Sequence, residues 1–130
     1  MSMNDALAAA LSKILNAEKI GKAECYVKFP STVLKSILRI MNEKKYIGDF
    51  SEIKDSKGNL LKINLLGNIN KCCVIKPRYP VKVKDLEKFE KRFLPAQNFG
   101  YLLMSTPFGI INHHEAKKKN TGGKLLAYIY

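Results

Sequence analysis

Tyr46-Ile47-Gly48-Asp49-Phe50-Ser51-Glu52-Ile53-Lys54-Asp55, then Ser56-Lys57-Gly58-Asn59, then Leu60-Leu61-Lys62-Ile63-Asn64-Leu65-Leu66 is the stretch that decides the fold of the first half. It reads as two strands joined by a good hairpin turn. Upstream, Leu7, Ala10, Leu11, Ile14, Leu15 and Ala17 lie on one helical stripe, which predicts a helix from about Asn4 to Ile20, stopped at Gly21. Cys25 to Phe29 reads as a short strand ended by Pro30-Ser31. Ser31 or Thr32 can then cap a second helix whose buried face is Val33, Leu34, Ile37, Leu38 and Met41. The predicted order is α-β-α-β-β, a three-stranded sheet covered by two helices.

Downstream, the polar stretch Gly67-Asn68-Ile69-Asn70-Lys71 marks a boundary. Strands are expected at Cys72–Lys76, around Val81–Val83, at Tyr101–Ser105 and at Leu125–Tyr130. A short charged helix is expected from Asp85 to Phe93, ended by Pro95, and a helical turn from an Asn112 cap through Lys119. The chain is thus expected to be α+β with two lobes. Residues 1–68 would form an α/β N-terminal lobe, and residues 69–130 a mainly antiparallel β lobe with short helices.

The chain has 130 residues, with 23 Lys and Arg against 11 Asp and Glu, a net charge of +12. Hydrophobic residues make up 46%, enough to build folded cores rather than a disordered basic tail. Charge of this size on a folded body implies a polyanionic partner, since each neutralised phosphate releases a counterion. No apolar run approaches the roughly 20 residues that span a bilayer, so membrane insertion is not expected. The opening Met1-Ser2-Met3-Asn4-Asp5 has no basic n-region and does not resemble a signal peptide, which points to the cytoplasm. The odd count of three cysteines, Cys25, Cys72 and Cys73, with no C-x-x-C spacing, reads as reduced thiols.

Catalysis finds no support. His113-His114-Glu115 lacks the H-E-x-x-H spacing of a metal site and reads as solvated residues at a helix start. There is no glycine-rich nucleotide motif, no positioned Ser or Cys with His, and no acidic cluster, so neither cofactor nor metal is expected.

The basic residues are more informative. Lys84 to Arg92 fits a solvated helix face with ion pairs, while Lys117-Lys118-Lys119 is a purer positive run. Beside it lie small and hydroxylic groups, Ser105-Thr106 at a strand end and Thr121-Gly122-Gly123-Lys124 before the last strand. Hydroxyls can bond base edges and the ribose 2′-OH, and glycines admit close backbone approach. Both breaks would equally serve as plain turns. Pro30-Ser31-Thr32 with Lys28 and Lys35 is a similar cluster in the first lobe, where a helix start can meet a phosphate. Tyr79, between Arg78 and Pro80, either stacks on a base or packs on its neighbours.

Taken together, these motifs resemble one family. Met1 to Ala8, Lys84-Asp85-Leu86-Glu87-Lys88-Phe89, Met104-Ser105-Thr106-Pro107-Phe108-Gly109-Ile110, His113-His114-Glu115-Ala116 and Asn120-Thr121-Gly122-Gly123-Lys124 are similar to ribosomal protein S-eight, in its archaeal and eukaryotic branch. The resemblance runs over essentially the whole chain. It implies a non-enzymatic protein of the small ribosomal subunit that binds an irregular stem in the central domain of its RNA. It further implies a role in platform assembly beside neighbouring ribosomal proteins, and in some members repression through their own messenger RNA.

Carried over by position, Ser105, Thr106, Gly122, Gly123 and Lys124 would meet the RNA core. Asn4, Asp5, Pro30, Ser31, Thr32 and Lys35 would touch the backbone of the adjoining stem. The chain also departs from the family pattern: Lys124 stands where bacterial members commonly carry an acid, and Asn112 and His114 where acids are frequent. Pro107 occupies the place of a third hydroxyl, and Phe108 replaces what is commonly a small or basic residue. Two rivals are a general nucleic-acid chaperone, which the charge explains equally, and a metal-dependent nuclease, which lacks a ligand cluster.

Overall fold

A computed structural model of the chain describes residues 6–28, 31–56, 58–76, 78–96 and 99–130. The fold is α+β, and it divides into two compact units, Met1–Asn70 and Lys71–Tyr130.

The first unit runs α1 (Ala6–Ile20), β1 (Glu24–Lys28), α2 (Thr32–Glu43), β2 (Ile47–Asp55) and β3 (Gly58–Leu65). Leu7, Ala10, Leu11, Ile14 and Ala17 are the buried positions of α1, and Leu15 is only half-buried at the margin of that stripe. Ser31 caps α2 by accepting the Leu34 N–H at 3.1 Å, satisfying a donor that has no partner in the helix. Leu34, Ile37, Leu38, Ile40 and Met41 are buried, while Val33 is half-buried.

The strands pair antiparallel in the order β1-β3-β2, and the hairpin closes at the Asp55–Gly58 pair. Cys25 and Val27 alternate with exposed Glu24, Tyr26 and Lys28 on β1, as a strand with one covered face requires. α1 packs against β1, and α2 against β2. Both carboxylate oxygens of Glu18 reach the end of the unit, accepting the N–H groups of Gly67 at 3.0 Å and Ile69 at 2.9 Å.

The second unit holds β4 (Cys72–Val74), β5 (Pro80–Val81), α3 (Leu86–Phe93), β6 (Tyr101–Thr106), β7 (Gly109–Asn112), α4 (His113–Lys118) and β8 (Gly123–Ile129). All pairings are antiparallel. β8 lies between β6 and the two short strands β4 and β5, and β7 continues the sheet beyond β6. One core cluster gathers Ile75, Val81, Leu86, Leu94, Leu102, Met104, Ala116 and Leu125. Each fully buried Leu or Ile contributes about 1.5–3 kcal/mol.

Four details depart from the sequence reading. The strand expected to reach Lys76 stops at Val74, and the one expected through Val83 is only Pro80–Val81, because a 3-10 turn over Val83–Asp85 leads into α3. β7 adds a strand where the sequence shows only a break after Ser105. It is four residues long and begins right after a turn, too short for periodicity to reveal. His113 is not solvated: it is 1% exposed.

Candidate nucleic-acid interface

The β6–β7 hairpin is organised by Thr106. Its hydroxyl accepts the Phe108 N–H at 3.1 Å and donates to the Gly109 carbonyl at 2.8 Å, closing a turn whose two linking residues are Pro107 and Phe108. Proline suits the first turn position because its ring presets φ. Gly109 follows with φ +106°, a conformation side chains disfavour. The departure at Pro107 is therefore compatible with a tight, well-bonded tip. Ser105, one residue earlier, is exposed, and its hydroxyl makes no hydrogen bond among the described residues.

β8 places the second motif directly against the first. Ser105 pairs with Lys124 in register, and Lys124 pairs on its other side with Pro80. The Leu125 N–H donates to the Tyr79 carbonyl at 3.0 Å, continuing that ladder. Gly122 and Gly123 are dictated by this crowding. A Cβ on Gly123 would run into the Ser105 carbonyl and lie 3.0 Å from Thr106 Cγ2, and one on Gly122 would strike the Val81 carbonyl. The glycines thus have a packing reason independent of any ligand. Their consequence is that Tyr79-Pro80, Ser105-Thr106 and Gly123-Lys124 lie side by side at one end of the sheet.

α4 delivers the basic run to the same segment. Asn112 caps it by accepting the Glu115 N–H at 2.9 Å. Asn120, at φ +50°, ends it with its N–H on the Lys117 carbonyl (3.2 Å) while the Thr121 N–H reaches Ala116 (3.0 Å). That pair of hydrogen bonds is the Schellman ending, and it turns the chain straight into Thr121-Gly122-Gly123.

The three lysines differ. Lys117 is ion-paired to the buried carboxylate of Glu90. The Lys119 ammonium sits 5.1 Å from the centre of the Phe108 ring. Lys118 and Lys124 are exposed. Glu90 also faces His113, whose Nε2 lies 3.3 Å from the same carboxylate oxygen. The Leu102 N–H donates to His113 Nδ1 at 3.0 Å, so the imidazole is neutral with its proton on Nε2. Burial, helped by the neighbouring His114 and Lys117 charges, holds its pKa down to about 4 against the upward pull of Glu90.

Tyr79 is half-buried, its ring 5.6 Å from Phe89 and 5.5 Å from the Arg92 guanidinium, so it is already packed. In the first unit, Lys28 and Thr32 are exposed, and the Lys35 ammonium is bonded to Glu52 at 2.9 Å. Asn4, Asp5 and Pro30 lie outside the described residues.

A family model described as ribosomal protein S8 matches residues 5–130, nearly the entire chain. The chain belongs to the ribosomal protein S8 family. A relative from the archaeon Methanococcoides burtonii, named small ribosomal subunit protein uS8, is 47% identical over 130 residues and covers all of both chains.

In this S8-family chain the buried tie of Glu90, His113 and Lys117 escaped the sequence reading. Its signal was present, for Glu90 falls on the apolar stripe of Leu86, Phe89 and Phe93 four residues after Leu86. A carboxylate on a core-facing stripe needs a partner, and a nearby histidine is a natural one. Among the described residues no group of three or more His, Cys, Asp or Glu is placed to hold a metal, and no described helix is long and apolar enough to cross a membrane.

Proposed function

We propose that this chain is a non-enzymatic constituent of the small ribosomal subunit, located on cytoplasmic ribosomes, that binds an irregular stem in the central domain of the subunit RNA and aids platform assembly beside neighbouring ribosomal proteins. The observation that carries this reading is the side-by-side alignment of Pro80, Lys124 and Ser105, which joins three separate stretches into one surface. An exposed hydroxyl beside an exposed cation, on a backbone held close by glycines, suits the shallow minor groove of A-form RNA and its 2′-OH groups. Ser105, Thr106, Pro107, Gly122, Gly123 and Lys124 form this specific surface, with Tyr79 at its border.

Lys28, Ser31, Thr32 and Lys35 of the first unit, with Asn4, Asp5 and Pro30, supply contacts to the adjoining backbone. Lys117 acts through its place in the Glu90 ion pair as well as through its charge, so Lys118 and Lys119 are the freer phosphate ligands of α4. The same surface would serve binding to a similar structure in the protein's own messenger RNA.

The test is binding to the central-domain stem and to a scrambled stem of equal length across a salt series. Selective binding to the true stem that persists at high salt supports the reading. Equal affinities that collapse together with salt would replace it with a general nucleic-acid chaperone.

A further inference from the structure

Phe108 is 61% exposed at the tip of the β6–β7 hairpin. It is not a loosely hung side chain. Its own N–H is bonded to Thr106 Oγ1, its predecessor is a proline, and its successor Gly109 is bonded back to Thr106, so the backbone that carries the ring is held on both sides. Among the described residues no aromatic ring packs against it. Against its face lies a cation, the Lys119 ammonium, 5.1 Å from the ring centre. That lysine sits at the C-terminal end of α4, beside exposed Lys118.

We propose that Phe108 is a stacking platform for an unpaired base of a structured RNA, with Lys119 and Lys118 taking the phosphates that flank that base. This inference rests on the RNA-binding reading above and adds to it a residue and a ligand class. A solvent-facing ring on a stiff hairpin costs little further ordering when a base stacks on it. Cation and ring together match the two parts of a nucleotide, a flat base and its phosphate. An irregular stem offers bases freed from pairing, whereas a regular duplex does not. A protein partner for the ring would have to accommodate the adjoining lysines.

The chain has no tryptophan, so F108W introduces a single indole whose emission reports on stacking. Wild type, F108A, F108W and K119A are titrated with the central-domain stem and the scrambled stem across salt, with urea midpoints confirming that each variant folds. F108A is expected to lose roughly ten- to hundredfold in affinity for the true stem, the range of one base–aromatic stack, with its salt slope unchanged. F108W should bind within a few fold of wild type, its emission quenched at saturation. K119A should instead flatten the salt slope by about one phosphate.

Wild-type affinity in F108A, or an unquenched indole in F108W at saturation, overturns the stacking role. If wild type still prefers the true stem in that case, the broader RNA-binding reading stands and the ring is left to a protein contact. An F108A loss equal on both stems with a flattened slope also overturns stacking, since it makes Phe108 only a support for Lys119. A wild type that cannot tell the stems apart removes both readings together.

Discussion

Lys117 and Glu90 form an ion pair of unequal halves. The carboxylate side chain is 8% exposed and the lysine side chain 40%, so a buried anion in α3 is neutralised by a cation that reaches in from α4. His113 completes the arrangement from beneath, tying the same carboxylate to the amide of Leu102 in β6. One carboxylate thus links two helices to the strand that ends in Ser105-Thr106. A buried carboxylate is tolerable only with such partners, because its desolvation otherwise drives it to protonate or the structure to open.

Removing that carboxylate should be costly. Glu90→Ala leaves the His113 Nε2–H buried without an acceptor and is expected to destabilise the protein by about 2–3 kcal/mol, the upper range for an orphaned buried donor. Glu90→Gln keeps an acceptor for one of the two donors and should cost less. Urea unfolding midpoints of the three proteins compare them. A Glu90→Ala midpoint equal to wild type would mean that water replaces the carboxylate without loss.

Acid should undo the same tie. The His113 pKa is depressed in the fold, from 6.5 to about 4, so the unfolded chain takes up a proton before the folded one does. The stability this site contributes is complete above about 6.5 and drains away as pH falls from there towards about 4. The full leg is roughly 3 kcal/mol. A protonated ring would also turn an Nδ1–H against the Leu102 N–H. In His113→Gln this leg is missing, so the stability gap between wild type and variant should narrow across that interval. A gap independent of pH would mean that the ring does not titrate below its ordinary value.

Ser105 and Thr106 should separate under mutation, although they are neighbours. The Thr106 hydroxyl makes two bonds inside the hairpin, so Thr106→Val should cost about 1–2 kcal/mol of stability before RNA is added. The Ser105 hydroxyl has no such duty. Ser105→Ala is expected to leave stability within about 0.5 kcal/mol. Its affinity for the true stem should nevertheless fall by the equivalent of roughly 1–3 kcal/mol if the hydroxyl is a buried contact in the complex. Thermal melts alongside the binding titrations read both quantities. Unchanged affinity in Ser105→Ala would move the specific contact away from this side chain.

Gly123→Ala tests the crowding of β8 against β6. The added methyl meets the Ser105 carbonyl, so the strand must shift, and a loss of about 1–3 kcal/mol is expected in the free protein. Lys124→Ala, one residue on and exposed, should leave the melt unchanged and weaken RNA binding with a shallower salt slope. If Gly123→Ala were as stable as wild type, the glycine's role would have to lie in ligand approach alone.

Thiol reactivity offers a check on the fold itself. Cys73 is exposed, whereas Cys25 and Cys72 are buried, and burial pushes the Cys25 thiol upward. Under native conditions a thiol reagent should modify Cys73 quickly and the other two at the rate of opening. Three equally fast thiols would contradict the burial of β1 and β4.

Much of this molecule was readable from its residues, and the reason differs from place to place. The apolar stripes of α1 and α2, the Ser31 cap, the Asn112 cap and the β2–β3 hairpin are local in origin, since periodicity and turn chemistry act over a few residues. The charge of +12, and with it the expectation of a polyanionic partner, is simply counted. So too the family is written in motifs such as Ser105-Thr106 and Gly122-Gly123.

What the residues alone left open is non-local. That Ser105 lies opposite Lys124, and Lys124 opposite Pro80, depends on sheet order and register, which no local signal specifies. That Gly123 is a packing necessity depends on how near another strand's carbonyl comes. His113 looked solvated because its neighbours in sequence are polar, while its burial comes from α3 and β6. Local chemistry determined the elements and the charge; strand pairing and burial decided which groups meet, and therefore which of them remain exposed.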